Sequence, residues 1–369
     1  MAGRRSKRYM RNTRNRSQLH GKISVQGVEI WRHFFWATSL ESGLLEPFLL
    51  EFLLLNPDHK ERKQQPYFHA KGSSFAMVRV VRLLDGSHPA TFVSMQEVEL
   101  SNHILSLRFG RNVCLEDAST GQIVTLDKDI GVRFGLASAG SASWELQIEK
   151  SQSYGYGFIA SRWITAYRLV GMSWHVGGLK ATFDGRLFMD EDEFKVHAST
   201  SYGYQDKIWG GYIGQEWAKL YGGALYDADS GQEAKSDCLT IFRHQQILLG
   251  KVDGHTYRFI YVHEGVLYDF SSDQKKTIYA FKESKDADIY TVMLEAITAH
   301  ERLLVTLRFS LDAPKTLEYP YVQGGNLRLR LATPVTGEVE LFRLMPLNGW
   351  QRDVHQRLNY ALYESSSLP

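Results

Sequence analysis

From Gly21 onward, apolar and polar residues alternate with a period of two, the mark of strands that bury one face. Trp144, Leu146 and Ile148 interleave with Glu145, Gln147 and Glu149, and Leu327, Leu329 and Leu331 interleave with Arg328 and Arg330. Similar runs occupy residues 104–109, 123–134, 257–262 and 303–309. Between them recur turn-forming pairs: Asp85-Gly86, Asp184-Gly185, Ser230-Gly231, Asp253-Gly254 and Gly324-Gly325. Many short strands joined by tight turns predict an all-β protein of antiparallel barrels or sandwiches. Periodicity departs from two at 350–363, where Val354, Leu358, Ala361 and Leu362 fall on one helical face and predict a short C-terminal helix.

At 369 residues the chain is long enough for two domains, each with its own core. Hydrophobic residues make up 43% and charged residues 23%, which excludes collagen-like or disulfide-scaffold architectures and a largely disordered chain. A formal charge of +2 excludes nucleic-acid binding by the molecule as a whole. The two cysteines, Cys114 and Cys238, form no metal-binding pair, and a reducing, cytoplasmic setting is expected. The most apolar stretch, 44–55, is interrupted by Glu46, Pro47 and Glu51 and falls short of the ~20 apolar residues of a membrane-spanning helix.

Local charge is another matter. The first 16 residues carry seven Arg or Lys, and no acid precedes Glu29. Residues 1–21 are therefore expected to form a basic, disordered arm, either solvated or in peripheral contact with anionic membrane. Tyr9 is its one aromatic, so base-stacking platforms for nucleic acid are missing. Composition changes near 151–161 and 198–201 bracket a boundary, which gives domains at 22–195 and 196–369.

Phosphate loops, dinucleotide fingerprints, zinc-protease and nucleophile-elbow motifs are absent, and the 13 His residues lack ligand spacing. Neither a metal nor a cofactor is expected. Three segments carry candidate chemistry. In E-I-W-R-H-F-F-W, strand alternation puts Glu29, Trp31, His33 and Phe35 on one face, an acid beside aromatics, with Trp36 at the end of the run. In the second segment His175 shares a parity with Leu179 and Phe183, either as a hydrogen-bonded core residue or as a site residue. In the third, 193–210, the parity of Phe194 and Val196 carried forward puts Tyr204, Asp206 and Ile208 inward, while a bulge at 199–201 would invert that order. An acid among tyrosines inside a barrel would be kept protonated by desolvation; a surface pairing of Asp206 with Lys207 is the other reading.

Met172, Trp174-His175, Gly178-Leu179, then G-Y-Q-D-K-I-W-G at 203–210 and Trp217 resemble the tandem lipocalin-like superfamily that includes the tocopherol cyclases and the hydroxyneurosporene-synthase-type carotenoid hydratases. The cyclases have Glu where Asp206 stands, Phe-Pro where Tyr212-Ile213 stands, and Trp and Gln in place of Lys219 and Tyr221. The resemblance implies two lipocalin-like antiparallel barrels and a cofactor-independent cyclase or hydratase acting on a prenylated, terpenoid or polyene substrate. It implies Asp206 as proton donor with Glu29 as the second acid, and a substrate surface of Trp31, Trp36, Trp163, His175, Tyr204, Lys207, Trp209 and Trp217. A lipophile carrier without catalysis would use the same surface.

Overall fold

The computed structural model describes residues 15–59, 73–152, 171–211, 216–248, 251–271, 277–322 and 324–366. Among these the chain is nearly all strand, and it divides into two compact units. The first comprises residues 1–215, 246–253 and 317–328; the second comprises 216–245, 254–316 and 329–369.

The first sheet is built from β1 (Val28–Ser39), β2 (Leu45–Leu55), β3 (Phe75–Arg82), β4 (Ala90–Val93), β5 (Val98–Leu100), β6 (Ser106–Phe109), β7 (Asn112–Leu115), β8 (Ala118–Thr125), β9 (Gly140–Gln152), β10 (Met172–Met189), β11 (Asp192–Val196) and β12 (Gly203–Gly210). Its order is β4-β3-β2-β1-β11-β10-β9-β8-β7-β6-β5, all antiparallel, with β12 also seated between β1 and β10. The sheet closes into a barrel, and the Thr125 hydroxyl bonds both the N–H and the C=O of Ala90 where β8 meets β4.

Inside the barrel lies a core that includes Phe35, Phe48, Phe52, Val78, Phe109, Trp144, Leu146, Phe183 and Phe194. Strands β1, β2 and β3 are covered on both faces, which is why 44–55 reads as a continuous apolar run. The acid in that run, Glu51, sits on the outer face. Burial alone would raise its pKa, but Arg79 at 2.5 Å and Arg32 at 3.2 Å hold it below the ordinary range, and the Tyr319 hydroxyl donates at 2.6 Å.

The second sheet, whose residues 246–253 and 317–328 belong to the first unit and the rest to the second, is built from β13 (Trp217–Tyr221), β14 (Ala224–Asp227), β15 (Cys238–Leu248), β16 (Lys251–His263), β17 (Val266–Asp269), β18 (Ile278–Asp286), β19 (Ile289–Ile297), β20 (Glu301–Ser310), β21 (Lys315–Pro320), β22 (Asn326–Met345) and β23 (Gly349–Ser365). Their order is β17-β16-β15-β13-β23-β22-β20-β19-β18, with β14 on β23 and β21 on β22. A separate core of Leu220, Ile241, Phe259, Val292, Leu294, Leu303, Val305 and Leu341 fills the second unit. Two antiparallel β units, each with its own core, are thus present.

Four expectations need correction. Residues 350–363 are strand: Val354, Gln356 and Leu358 alternate inward, and a register shift near Tyr360, whose φ is +58°, moves Ala361 onto the buried side. That offset imitates helical spacing. Asp184-Gly185 and Asp253-Gly254 lie within β10 and β16, so neither is a turn between strands. A Cβ at Gly185 would stand 2.0 Å from the Glu145 carbonyl oxygen, so glycine serves close backbone approach there. The run 123–134 ends its strand at Thr125, and Ile130–Arg133 forms one helical turn. Finally, Gly203–Gly210 pairs with β1 and β10, which puts the break between units at 215–216 and not near 195.

The arm at 1–21 is also only partly an arm. Residues 15–19 lie against the first barrel, with Asn15 and Leu19 buried.

Candidate functional site

The site follows from the register of three strands. Trp31 stands opposite Lys207, Glu29 opposite Trp209, and His33 opposite Gln205 across β1 and β12; His175 stands opposite Lys207 across β10 and β12. With period two, these residues share the face that carries the Trp31, Phe35 and Trp209 core into the barrel. Glu29, Trp31, His33 and Phe35 lie on one face, as alternation requires. The third segment inverts: the turn at 198–200 and Tyr202, with φ +39°, shift the parity, so Gln205, Lys207 and Trp209 point inward. Tyr204 and Asp206 are buried on the opposite face, where Asp206 Oδ2 accepts from Trp174 Nε1 at 2.7 Å.

At the centre, Lys207 Nζ and Glu29 Oε1 are 2.9 Å apart with both side chains 0% exposed. The ammonium lies 4.7 Å from the Trp209 ring centroid and 5.4 Å from that of Trp31. Burial lowers the Lys207 pKa, opposed by the attraction of Glu29. Beside this pair, Gln205 Nε2 is 3.0 Å and Cys114 Sγ 3.8 Å from His33 Nε2. Burial, helped by Lys150, pushes His33 down to about 3, and burial pushes the Cys114 thiol up to about 12. The imidazole is therefore neutral and the thiol protonated at neutral pH, so they do not form a thiolate nucleophile.

Residues 15–18 close over the pair. Ser17 Oγ donates to Glu29 Oε2 at 2.8 Å, the Gln18 N–H donates to the same carboxylate at 3.0 Å, and Lys207 Nζ donates to the Arg16 carbonyl at 2.6 Å. Trp31 Nε1 donates to the Asn15 carbonyl at 2.8 Å, while Asn15 Nδ2 donates to Glu116 at 2.9 Å. Glu116 also pairs with Lys150 at 2.6 Å. The strap was not legible as such, because its contacts are mostly backbone groups that any sequence supplies. Two side chains gave some signal: Ser17 as a short donor for a buried acid, and Leu19 as an apolar anchor.

Of the other expected substrate-surface residues, Trp36 lies on the outer face of β1 and packs edge-on to Phe34, with centroids 6.4 Å apart. Trp163 lies outside the described residues. Trp217 belongs to the second unit. There it forms a box with Tyr221 and Phe242 around Lys219, whose Nζ is 4.4 Å from the Tyr221 ring and 3.7 Å from Glu364. In the same unit Asp237 accepts from Gln356 and His263, each at 2.6 Å, and these bonds, with that from the Glu264 N–H, outweigh burial to lower its pKa. Among the described residues no group of three His, Cys, Asp or Glu side chains is placed to share a metal ion. No helix among them is long and apolar enough to cross a membrane.

Comparison with solved structures finds several similar chains, two of them matching over more than nine-tenths of both chains. A candidate AttH of Nitrosomonas europaea matches at TM-score 0.41 and 12% identity, over 92% of this chain and 93% of that one. Kievitone hydratase of Nectria haematococca matches at TM-score 0.40 and 10% identity, over 93% and 91%. No family model matches the sequence, and no curated protein does.

Proposed function

We propose that the first barrel is the catalytic unit of a cofactor-independent enzyme of cyclase or hydratase type, acting on a lipophilic prenylated, terpenoid or polyene substrate. The observation that carries this reading is the Glu29–Lys207 pair, wholly buried between two tryptophan faces inside an apolar wall.

The chemistry starts from the balance between two forms of that pair. In a dry interior the ionic form competes with the neutral one, in which Glu29 carries the proton and Lys207 is an amine. The strap favours the ionic form: Ser17 and Gln18 donate to the carboxylate and Arg16 accepts from the ammonium. A lipophilic substrate that displaces residues 15–18 removes those bonds, and burial, which lowers the Lys207 pKa, then favours proton transfer from the ammonium within the pair. Glu29 then transfers its proton to an alkene carbon, and the faces of Trp31 and Trp209 stabilise the cation. Capture by a hydroxyl of the substrate closes a ring, capture by water hydrates, and in either case the released proton returns to Glu29. Asp206, on the opposite face and bonded to Trp174, takes no part in this scheme.

A carrier without catalysis is favoured by one observation, the saturation of Glu29 by Ser17, Gln18 and Lys207. Turnover of a prenylated phenol separates the two readings. Catalysis predicts loss of about 10²- to 10⁴-fold in Glu29→Gln, the range of general acid catalysis, with Asp206→Asn close to wild type. Tight binding of the phenol with no product from any variant supports the carrier.

A further inference from the structure

Independently of the barrel interior, we propose that the β22–β23 hairpin of the second unit inserts its tip into the interface of a lipid bilayer. Turn apices in water take Gly, Asn, Asp, Ser or Pro. Here the turn between Met345 and Gly349 is Pro346-Leu347-Asn348, and Leu347 is 96% exposed. Leu344, Met345 and Trp350, all exposed, stand directly behind it. Scattered exposed apolar residues are ordinary, but four gathered at one convex tip are not.

The order of chemistry along the hairpin fits a bilayer. Met345 pairs with Gly349, Leu344 with Trp350, Arg343 with Gln351, and Phe342 with Arg352. From the apex backward one meets an aliphatic residue, then Trp, then Arg. Rungs advance by roughly 3.4 Å, which places Arg343 about 10 Å behind Leu347. That is the depth, ~5–10 Å, to which interfacial apolar groups enter the boundary between headgroups and acyl chains. Tryptophan prefers that boundary, and arginine reaches headgroup phosphates from just outside it. Between 341 and 352 the hairpin carries Arg343 and Arg352 and no acid. Glu301 stands opposite Arg343 on β20, and farther back along the hairpin Asp353 holds Arg343 at 2.9 Å and Glu340 holds Arg352 at 3.1 Å, so the acids lie level with or behind the arginines and none lies nearer the apex. A convex apolar apex backed by cations suits a deformable anionic surface; a protein partner would have to offer a matching cavity.

The test is flotation of the full-length protein with phosphatidylcholine vesicles, alone and with one third phosphatidylglycerol, at low and high salt. Leu347→Cys carrying an environment-sensitive dye gives a second readout, since Cys114 and Cys238 are buried. Insertion predicts flotation that persists in part at high salt, a blue-shifted dye on vesicles, and at least tenfold weaker partitioning for Leu347→Asp/Trp350→Ser with an unchanged circular-dichroism spectrum. Flotation with an unshifted dye would overturn the proposal, as would equal partitioning of the double variant. Absence of flotation, with self-association that Leu347→Asp abolishes, would assign the tip to a second copy of the chain instead.

Discussion

Glu29 and Lys207 are diagonal neighbours across β1 and β12, 2.9 Å apart and shut off from water. Because the register sets Trp31 opposite Lys207 and Trp209 opposite Glu29, each charge has an indole as its cross-strand neighbour. Breaking such a pair leaves one charge buried alone, at a cost of about 3–5 kcal/mol. Glu29→Gln should therefore lower stability in urea by that order at neutral pH. Removing both charges in Glu29→Gln/Lys207→Met should restore most of the loss. If the double variant is as unstable as the single one, the carboxylate stabilises the barrel through the strap alone.

The same pair sets a pH dependence. Burial depresses the folded-state pKa of Lys207 below its ordinary 10.5, so between the two values the unfolded chain holds a proton that the folded one has lost. Stability contributed by this group rises with pH through that window and is weakest below it. Subtracting the urea stability of Lys207→Met from that of wild type should expose this rise as pH approaches 10.5. A flat difference would show that Lys207 titrates like a free lysine.

His33 gives the acid limb. Its folded value of about 3 lies below the ordinary 6.5, so the unfolded state gains its proton first as the pH falls. Stability is lost from 6.5 down toward 3, with a slope of about 1.4 kcal/mol per pH unit for one such group. His244 in the second unit, at about 4, acts in the same direction, so the slope should flatten only in part in His33→Gln. An unchanged acid limb in that variant would place a protonated His33 in the folded barrel.

How much of this could be read beforehand depended on whether periodicity survived. Along β1 alternation is unbroken, and Glu29, Trp31 and His33 could be placed together from sequence. Across the turn at 198–200 the parity slipped by one, which exchanged Asp206 for Lys207 as the inward residue of the same motif. The slip near Tyr360 made β23 resemble a helix for the same reason. Long-range partners left no local mark. Apart from the Ser17 hydroxyl, nothing in residues 15–18 signals that they meet a pair on β1 and β12, nor does Tyr319 reveal that it bonds Glu51, 268 positions away.

The strap makes a truncation prediction opposite to the one composition suggests. Removal of residues 1–14, which lie outside the described structure, leaves every contact named above in place. Removal of 1–19 takes away the bonds to Glu29, Lys207 and Trp31; charged hydrogen bonds are worth about 1.5–3 kcal/mol each, so the melting temperature should fall by several degrees. Equal melting of the two truncations would mean that the strap is replaced by water without cost.

Proton delivery from Glu29 to carbon is the claim on which the functional reading rests, and isotope incorporation measures it directly. A prenylated phenol incubated with the protein in D₂O should acquire one solvent deuteron at the alkene carbon, detected by mass spectrometry of the recovered product. Wild type and Asp206→Asn should both incorporate it. Glu29→Gln, and the better-folded Glu29→Gln/Lys207→Met, should not. Incorporation undiminished in the Glu29 variants, or lost only in Asp206→Asn, would contradict the account and move the acid to the other face of β12.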